Sequence, residues 1–313
     1  MDSRSNWPQL SEARDGPTIA ALHLYSQILG KAAVALLPWR NHGWHVTLRV
    51  HPRGLRTEPL HGAGGAFELG LDLAGHEFTF ADVDGERRVP LGPMSVAQFH
   101  AEVMALLKAA GHQVRIHGAP NEIEPAIPFA DDDSPRPYDR GSAGRLLGAL
   151  VNADRVFRLF RSGFLGKASP VHFFWGSFDL AVTRFSGRPA PLHPGGIPNL
   201  PDDVTREAYS HQVSSAGFWP GGAGGGGDPF FYSYAYSSPE GFAKAAVNPE
   251  PARFDQDLAE FVLPYEAVRS AADPDAALLA FLESSYAAAA DLGGWDRAAL
   301  ECDLGRPRVP RRP

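Results

Sequence analysis

The chain has little cysteine: Cys302 is the only one among 313 residues. A single cysteine excludes an intrachain disulfide and any metal site built from several thiolates of one chain. Because Cys302 lies beside a polar C-terminal tail, it is also a poor candidate for a thiol nucleophile. A chain without disulfides is typical of a reducing compartment, so we expect a cytoplasmic protein.

Long apolar runs and basic surfaces are also scarce. No apolar run approaches the ~20 residues that a membrane-spanning helix needs, and residues 1–10 lack the pattern of a signal peptide. The net charge is −7, and no basic stripe is interleaved with aromatic residues. We therefore expect a soluble protein that binds neither nucleic acid nor a membrane.

Glycine and proline are plentiful, with 33 and 28 residues, which indicates many turns between short elements. The apolar spacing predicts helices over 18–37, 95–110, 142–162 and 275–290. Alternating patterns predict strands over 44–50, 67–73, 77–80, 230–236 and 260–263, and a strand pair over 171–185, and 114–116 is a short strand candidate. This order predicts an α+β fold, mainly antiparallel sheet with peripheral helices.

The chain divides into two halves with a similar order of elements. For residues 17–117 and again for residues 142–292, the pattern predicts a helix, then strands, then a helix. The segment 118–140 joins them, and it is rich in Pro and Gly and carries an acidic run. We interpret residues 1–313 as one compact unit of two similar halves, with a ligand cleft between them.

Ionisable residues lie among aromatics in two segments, SPVHFFWGSFDLAVTRFSGR (169–188) and EAYSHQVSSAGFWP (207–220). Charged groups inside apolar surroundings are costly unless they are paired, liganded or shifted in pKa. These two segments therefore mark the candidate site.

Two histidines and a carboxylate are candidate metal ligands. If a helix spans residues 207–211, Glu207 and His211 lie one turn apart on one face. With His172 from a strand they form a two-His, one-carboxylate set that suits a divalent metal such as zinc, iron or manganese. Asp179 and His193 are alternative ligands. Since Glu-x-x-x-His is common by chance, an ordinary structural pair is the competing interpretation.

Asp179 and Arg184 are the candidate catalytic residues. On a β segment, Asp179 would act as a general base or orient a metal ligand, and Arg184 would anchor an anionic group of the substrate. The competing interpretation is a salt bridge between neighbouring strands.

A glycine-rich run, GGAGGGG, occupies residues 221–227. It lacks the Lys-Ser/Thr of a phosphate-binding P-loop, and no helix pattern follows it. We interpret it as a lid or a disordered loop, and the sequence leaves that choice open.

Long motifs resemble a bacterial family of unknown function. They are HGWHVTLRVHPRGL, PNEIEPAIPFADD, GKASPVHFFWGSFDLAVTRFSGRPAP, EAYSHQVSSAGFWPG, FFYSYAYSSPEGF and FLESSYAAAADLGGWDRAALE. The resemblance covers about 7–301 and implies a single full-length unit, but no activity. The chain departs from the family pattern at Gln212, where Glu is usual, which weakens the case for an enzyme.

Three functional hypotheses follow. The first is a mononuclear metal-dependent enzyme acting on a small molecule, and it requires the three proposed ligands to converge on one point. The second is a metal-free protein that binds an apolar or aromatic small ligand between Trp175 and Trp219. The third is a structural protein without a catalytic site, in which the polar residues close a buried network.

Overall fold

The computed structural model describes residues 7–222 and 227–310. In its first half a long helix precedes a six-stranded antiparallel sheet, and a second helix follows the sheet. The elements are α1 (Glu12–Leu36), β1 (Arg49–His51), β2 (Gly54–Arg56), β3 (Leu60–Gly62), β4 (Gly65–Asp72), β5 (Glu77–Asp82), β6 (Gly85–Pro90) and α2 (Val96–Ala109). The strand order is β1-β2-β4-β5-β6, and β3 pairs with β4.

The second half also begins with a long helix and contains a second six-stranded antiparallel sheet, but a short helix interrupts its strands and three helices follow them. Its elements are α3 (Arg140–Ser162), β7 (His172–Phe174), β8 (Asp179–Pro189), α4 (Asp202–Ala208), β9 (His211–Trp219), β10 (Phe230–Tyr236), β11 (Arg253–Asp255), β12 (Glu260–Pro264), α5 (Tyr265–Arg269), α6 (Pro274–Leu292) and α7 (Arg297–Leu300). The strand order is β11-β12-β10-β9-β8-β7. The predicted α+β fold with antiparallel sheets is confirmed.

Helix α1 starts earlier than its sequence pattern suggests. It begins at Glu12, and Pro17 lies inside it rather than at its start. Pro17 is the sixth residue of the helix and lies past its first turn, so the helix lacks the backbone hydrogen bond that another residue at this position would donate.

Helix α1 is also long and apolar enough to cross a membrane. This finding differs from our prediction that no apolar run in the sequence approaches that length. In the fold, however, 72% of its most apolar window is buried against the rest of the protein. The helix therefore serves as an internal element around which the chain packs.

The second sheet separates its two faces by strict alternation. Leu180 and Val182 of β8 are buried on the face where α3 and α6 pack. Asp179, Ala181 and Thr183 of the same strand line a cavity on the opposite face. Because side chains alternate along a strand, the register of β8 decides which groups reach that cavity.

Two predicted strands differ from the structure. The pattern over 44–50 forms a strand only at β1, because a short 3-10 helix (Asn41–Gly43) precedes it and Leu48 makes an isolated bridge to Phe173. The candidate strand at 114–116 has no strand pairing. By contrast, β10 spans the residues that its alternation predicts.

Candidate functional site

A cavity of about 1640 Å³ lies over the open face of the second sheet. Its remaining walls come from α1, from residues 39–46, from 115–122 and from 197–209. Four of the six tryptophans line it, namely Trp39, Trp44, Trp175 and Trp219. Such a concave, largely aromatic space with a few polar groups is the usual form of a small-molecule site.

One row of paired residues crosses the cavity floor from strand to strand. His172 pairs with Ala181, Ala181 with Gly217, Gly217 with Tyr232, and Tyr232 with Val262. The two smallest residues lie in the middle of this row. They leave open space above β8 and β9 that a large side chain from β10 can occupy.

Tyr232 occupies that space. A Cβ atom on Gly217 would lie 2.2 Å from Cζ of the Tyr232 ring, so the ring lies directly over Gly217. The Tyr232 hydroxyl thereby passes over β9 and donates a hydrogen bond to Oδ2 of Asp179 on β8. Only glycine at position 217 permits this approach.

Asp179 is the central acidic group of the cavity floor. Its carboxyl is buried, and Ser177 donates a hydrogen bond to Oδ1. Burial raises the pKa of Asp179, while the hydrogen bonds from Ser177 and Tyr232 act in the opposite direction. Withdrawal from water thus dominates, and the proton is held more tightly than on an ordinary aspartate.

Glu122 and Glu260 add two further carboxyls near Asp179. Burial, with a smaller contribution from the Asp179 charge, raises the pKa of Glu122 to about 7. Burial, with smaller contributions from the charges of Asp179 and Asp255, raises the pKa of Glu260 to about 8. Both groups therefore exchange protons near neutral pH, where a carboxyl can act as an acid or a base.

The position of Glu122 depends on a second close approach to a glycine. A Cβ on Gly176 would lie 2.1 Å from Oε1 of Glu122, so the carboxyl rests against the Gly176 backbone. The Nε2–H group of His23 donates to the Gly176 carbonyl at 2.7 Å and fixes this turn from the side of α1.

Backbone strain is concentrated around the carboxyls. Glu122 has φ 59° and Phe178, directly before Asp179, has φ 58°. Asn199, whose side chain donates to the Ile123 carbonyl at 2.8 Å, has φ 55°. Non-glycine residues rarely adopt this region, and such strain clusters at functional sites.

Three tyrosine side chains extend the polar floor of the cavity beside Asp179. The hydroxyls of Tyr209 and Tyr234 share a hydrogen bond of 2.8 Å. The rings of Tyr232 and Tyr234 stack with centroids 6.0 Å apart and an interplanar angle of 19°. These rings give the acidic floor an electron-rich aromatic wall, which attracts cations.

His172, a predicted metal ligand, lines the cavity but lies fully buried between aromatic rings. Neither ring nitrogen has a hydrogen-bond partner in the described parts of the chain. The Phe174 ring packs against it with centroids 4.7 Å apart. Burial, with a smaller contribution from Arg49, lowers its pKa to about 3, so the imidazole is neutral at physiological pH.

Glu207 and His211, the other two predicted ligands, do not share a helix face. Helix α4 ends at Ala208, and His211 opens strand β9, so the predicted one-turn spacing is wrong. Glu207 instead accepts the backbone N–H of His42 at 2.8 Å. The strand begins there because His211 pairs with Pro189 of β8.

A metal centre is not assembled in the described residues. Within 7–222 and 227–310, no group of three or more His, Cys, Asp or Glu side chains is arranged to hold a metal ion. The set of His172, Glu207 and His211 thus remains a prediction from sequence spacing, and the geometry adds no support to it.

Arg184 and Asp179 lie on opposite faces of the sheet. They are five residues apart on one strand, and an odd separation reverses the direction of the side chain. The Arg184 guanidinium lies 3.5 Å from the Phe160 ring centroid and 4.3 Å from that of Tyr286. Its nearest carboxylate is Glu283 at 3.6 Å. Arg184 therefore stabilises the helical side of the sheet, away from the cavity.

The three residues that sequence reasoning overlooked are Glu122, Tyr232 and Glu260. The alternation in FFYSYAY places Tyr232 and Tyr234 on one face, and this signal was available. No alternating or helical pattern marks Glu122, because it reaches the cavity from the segment 118–140 between the halves. Part of the glycine-rich run, 223–226, lies outside the described residues.

A family model described as "Family of unknown function (DUF5996)" matches residues 7–302. The chain therefore belongs to this family, and the match spans both sheets. The curated proteins with which the chain was compared include no match. The solved structures include none either.

Proposed function

We propose that this protein binds a small organic cation, an amine with an apolar body, in the cavity over its second sheet. One observation carries the proposal. Asp179, Glu122 and Glu260 line one aromatic cavity, and across the described ranges none of them has an ion pair with Lys, Arg or His. Asp179 is buried and the two glutamates are half-buried, and acidic groups withdrawn from water in this way are normally paired.

A cationic group of a ligand would supply the missing partner. In the free protein, withdrawal from water makes the ionised forms of these carboxyls costly, which is why their pKa values are raised. An ammonium group favours the ionised forms and forms charge-assisted hydrogen bonds with them. The net charge of −7 attracts cations over a longer range.

The rest of the cavity suits an apolar ligand body. Four tryptophans line the walls, and the Tyr232 and Tyr234 rings are stacked beside the carboxyls. The volume of about 1640 Å³ exceeds the ~300–1,000 Å³ of a common drug-sized pocket. A ligand larger than a simple amine therefore fits.

This proposal follows the second of the sequence hypotheses, a metal-free binding protein with a small-molecule partner. We place this binding protein in the cytoplasm, because a single cysteine is typical of proteins in a reducing compartment. The metal-dependent enzyme remains the alternative, and it requires a site that includes His172.

Three probes that differ only in their head group test the proposal: 4-phenylbutylamine, 4-phenylbutanol and 4-phenylbutyrate. Isothermal titration calorimetry is performed at pH 7.5, with and without EDTA. We expect the amine to bind more tightly than the alcohol, and Asp179→Asn to weaken amine binding by at least ~10-fold. Asp203→Asn, at a carboxylate whose side chain is 96% exposed, is the matched control.

Two results would overturn the proposal. One is an amine affinity equal to that of the alcohol, since the head group would then contribute nothing. The other is an amine affinity that Asp179→Asn leaves unchanged. Binding that disappears with EDTA and returns with zinc, iron or manganese would support the metal-dependent alternative.

A further inference from the structure

Lys31 is a buried cation in the same cavity. It lies on α1, is 4% exposed and lines the cavity wall. Its ammonium donates a hydrogen bond to Oδ1 of Asn121. It also lies 5.5 Å from the Trp175 ring and 6.0 Å from the Phe129 ring. The side chain is thus held among aromatics at a defined place.

Among the described residues, the charge of Lys31 has no anionic partner. Throughout the described parts of the chain, no carboxylate lies within 4 Å of its ammonium. Burial alone lowers its pKa to about 8, with no charged neighbour contributing. The other three lysines of the sequence, Lys108, Lys167 and Lys244, are all exposed. A buried, unpaired ammonium is costly, as unpaired carboxyls are.

Asn121 is fixed so that its carbonyl oxygen faces Lys31. Its backbone N–H donates to Oε1 of Gln27 at 2.7 Å, and its backbone carbonyl accepts from Nε2 of Gln27 at 2.9 Å. Its side-chain amide donates to the Asn199 carbonyl. Only Oδ1 is then left for Lys31. The asparagine positions the ammonium without neutralising it.

We propose that Lys31 and Asn121 form a second subsite of the cavity, which binds a carboxylate group of the ligand. An ammonium has three donors, and one is used by Asn121, so two remain for a ligand. A single positive charge matches a monoanion better than a doubly charged phosphate, which usually needs several donors. If the proposed function also holds, the ligand is amphoteric, with an amine at Asp179 and a carboxylate at Lys31.

The test uses 4-phenylbutyrate and calorimetry at pH 7. We expect Lys31→Met to weaken its binding by at least ~10-fold, because the apolar replacement removes the only charge of this subsite. Lys244→Met, at an exposed position, is the matched control and should leave the affinity unchanged. Asn121→Leu should weaken binding less than Lys31→Met, since it removes positioning alone.

A second measurement keeps the proposal testable if Lys31→Met does not fold. The wild-type protein is acetylated with an N-hydroxysuccinimide ester, with and without 4-phenylbutyrate, and modified lysines are identified by peptide mass. We expect the probe to protect Lys31 and to leave Lys108, Lys167 and Lys244 unprotected. Equal acetylation of Lys31 with and without the probe would overturn the proposal.

The two proposals fail separately. Carboxylate binding that Lys31→Met leaves intact overturns the Lys31 subsite, whatever the amine does. Carboxylate binding that depends on Lys31, without any amine binding at Asp179, supports the subsite and overturns the proposed function. Loss of both probes in Lys31→Met, with Asp179→Asn unaffected, overturns both proposals, because a cationic and an anionic probe would then depend on Lys31 equally and its charge would not decide binding.

Discussion

The hydroxyl of Tyr232 donates a hydrogen bond to Asp179 from two strands away, with the Tyr232 ring lying over Gly217. Strand β9 lies between the two residues, so the contact spans about 10 Å of sheet. It orients the Asp179 carboxyl before any ligand arrives. The hydrogen bond between Tyr232 and Asp179 therefore makes the geometry of the proposed amine site depend on the glycine at position 217.

Gly217→Ala should disrupt this arrangement. The added Cβ would lie 2.2 Å from the Tyr232 ring and force the ring away from Asp179. We expect a loss of about 1–3 kcal/mol in the free energy of unfolding, as for other overpacked sites. Denaturant unfolding measures the loss, and 4-phenylbutylamine affinity should fall with it.

A double-mutant cycle provides the control for that prediction. In a Tyr232→Ala background the ring is gone, so Gly217→Ala should cost only a few tenths of a kcal/mol. An equal cost in both backgrounds would mean that the clash is with something other than Tyr232.

The raised pKa of Glu260 predicts a dependence of stability on pH. A group that binds its proton more tightly when folded stabilises the fold below its unfolded pKa of 4.5, and this contribution is lost as pH rises through about 8. Glu260→Gln should therefore raise the free energy of unfolding by ~1–3 kcal/mol at pH 8.5 and by much less at pH 5. The same gain at both pH values would contradict the assignment.

The buried imidazole of His172 predicts a loss of stability at acidic pH, in contrast to the loss at alkaline pH that Glu260 predicts. Its folded pKa of about 3 lies below the unfolded value of 6.5, so its stabilising contribution is complete above pH 6.5 and is lost progressively toward pH 3. His172→Leu should flatten this acid loss and cost less than ~1 kcal/mol at pH 7, because neither ring nitrogen has a partner in the part of the chain that the structure describes. His61→Leu, at an exposed histidine, should leave the acid limb unchanged.

Amine binding should release protons near neutral pH. Glu122 and Glu260, with pKa values of about 7 and about 8, hold protons that an ammonium beside them displaces. We expect net release of ~0.5–1 proton per 4-phenylbutylamine at pH 7.5, and an affinity that rises from pH 6 to pH 8. Calorimetry in buffers of different ionisation enthalpy measures this number. Proton uptake would contradict the role of these two carboxyls.

Local patterns in the sequence predicted much of the fold. Helix α2 lies within the predicted range 95–110, and at its start the Gln98 N–H donates to Oγ of Ser95 at 3.0 Å. Strand β10 follows from the alternation of its aromatics. These features depend on neighbouring residues alone, which is why a single sequence contains them.

The positions of the site residues depend on contacts between residues that are far apart in the sequence. Glu207 and His211 satisfied helical spacing, but pairing of His211 with Pro189 placed it in a strand. Asp179 was identified as a candidate, whereas Glu122 arrives from a segment interpreted as a linker. Which residues converge is set by strand register and by close approaches at Gly176 and Gly217, and neither is visible in local patterns.

A crystal structure of the protein with 4-phenylbutylamine tests the central claim most directly. We predict that the ammonium lies within hydrogen-bonding distance of the Asp179 carboxyl, with the phenyl group against the aromatic walls of the cavity and no metal ion beside it. An amine bound elsewhere, or a metal ion coordinated by His172 in the cavity, would contradict the account.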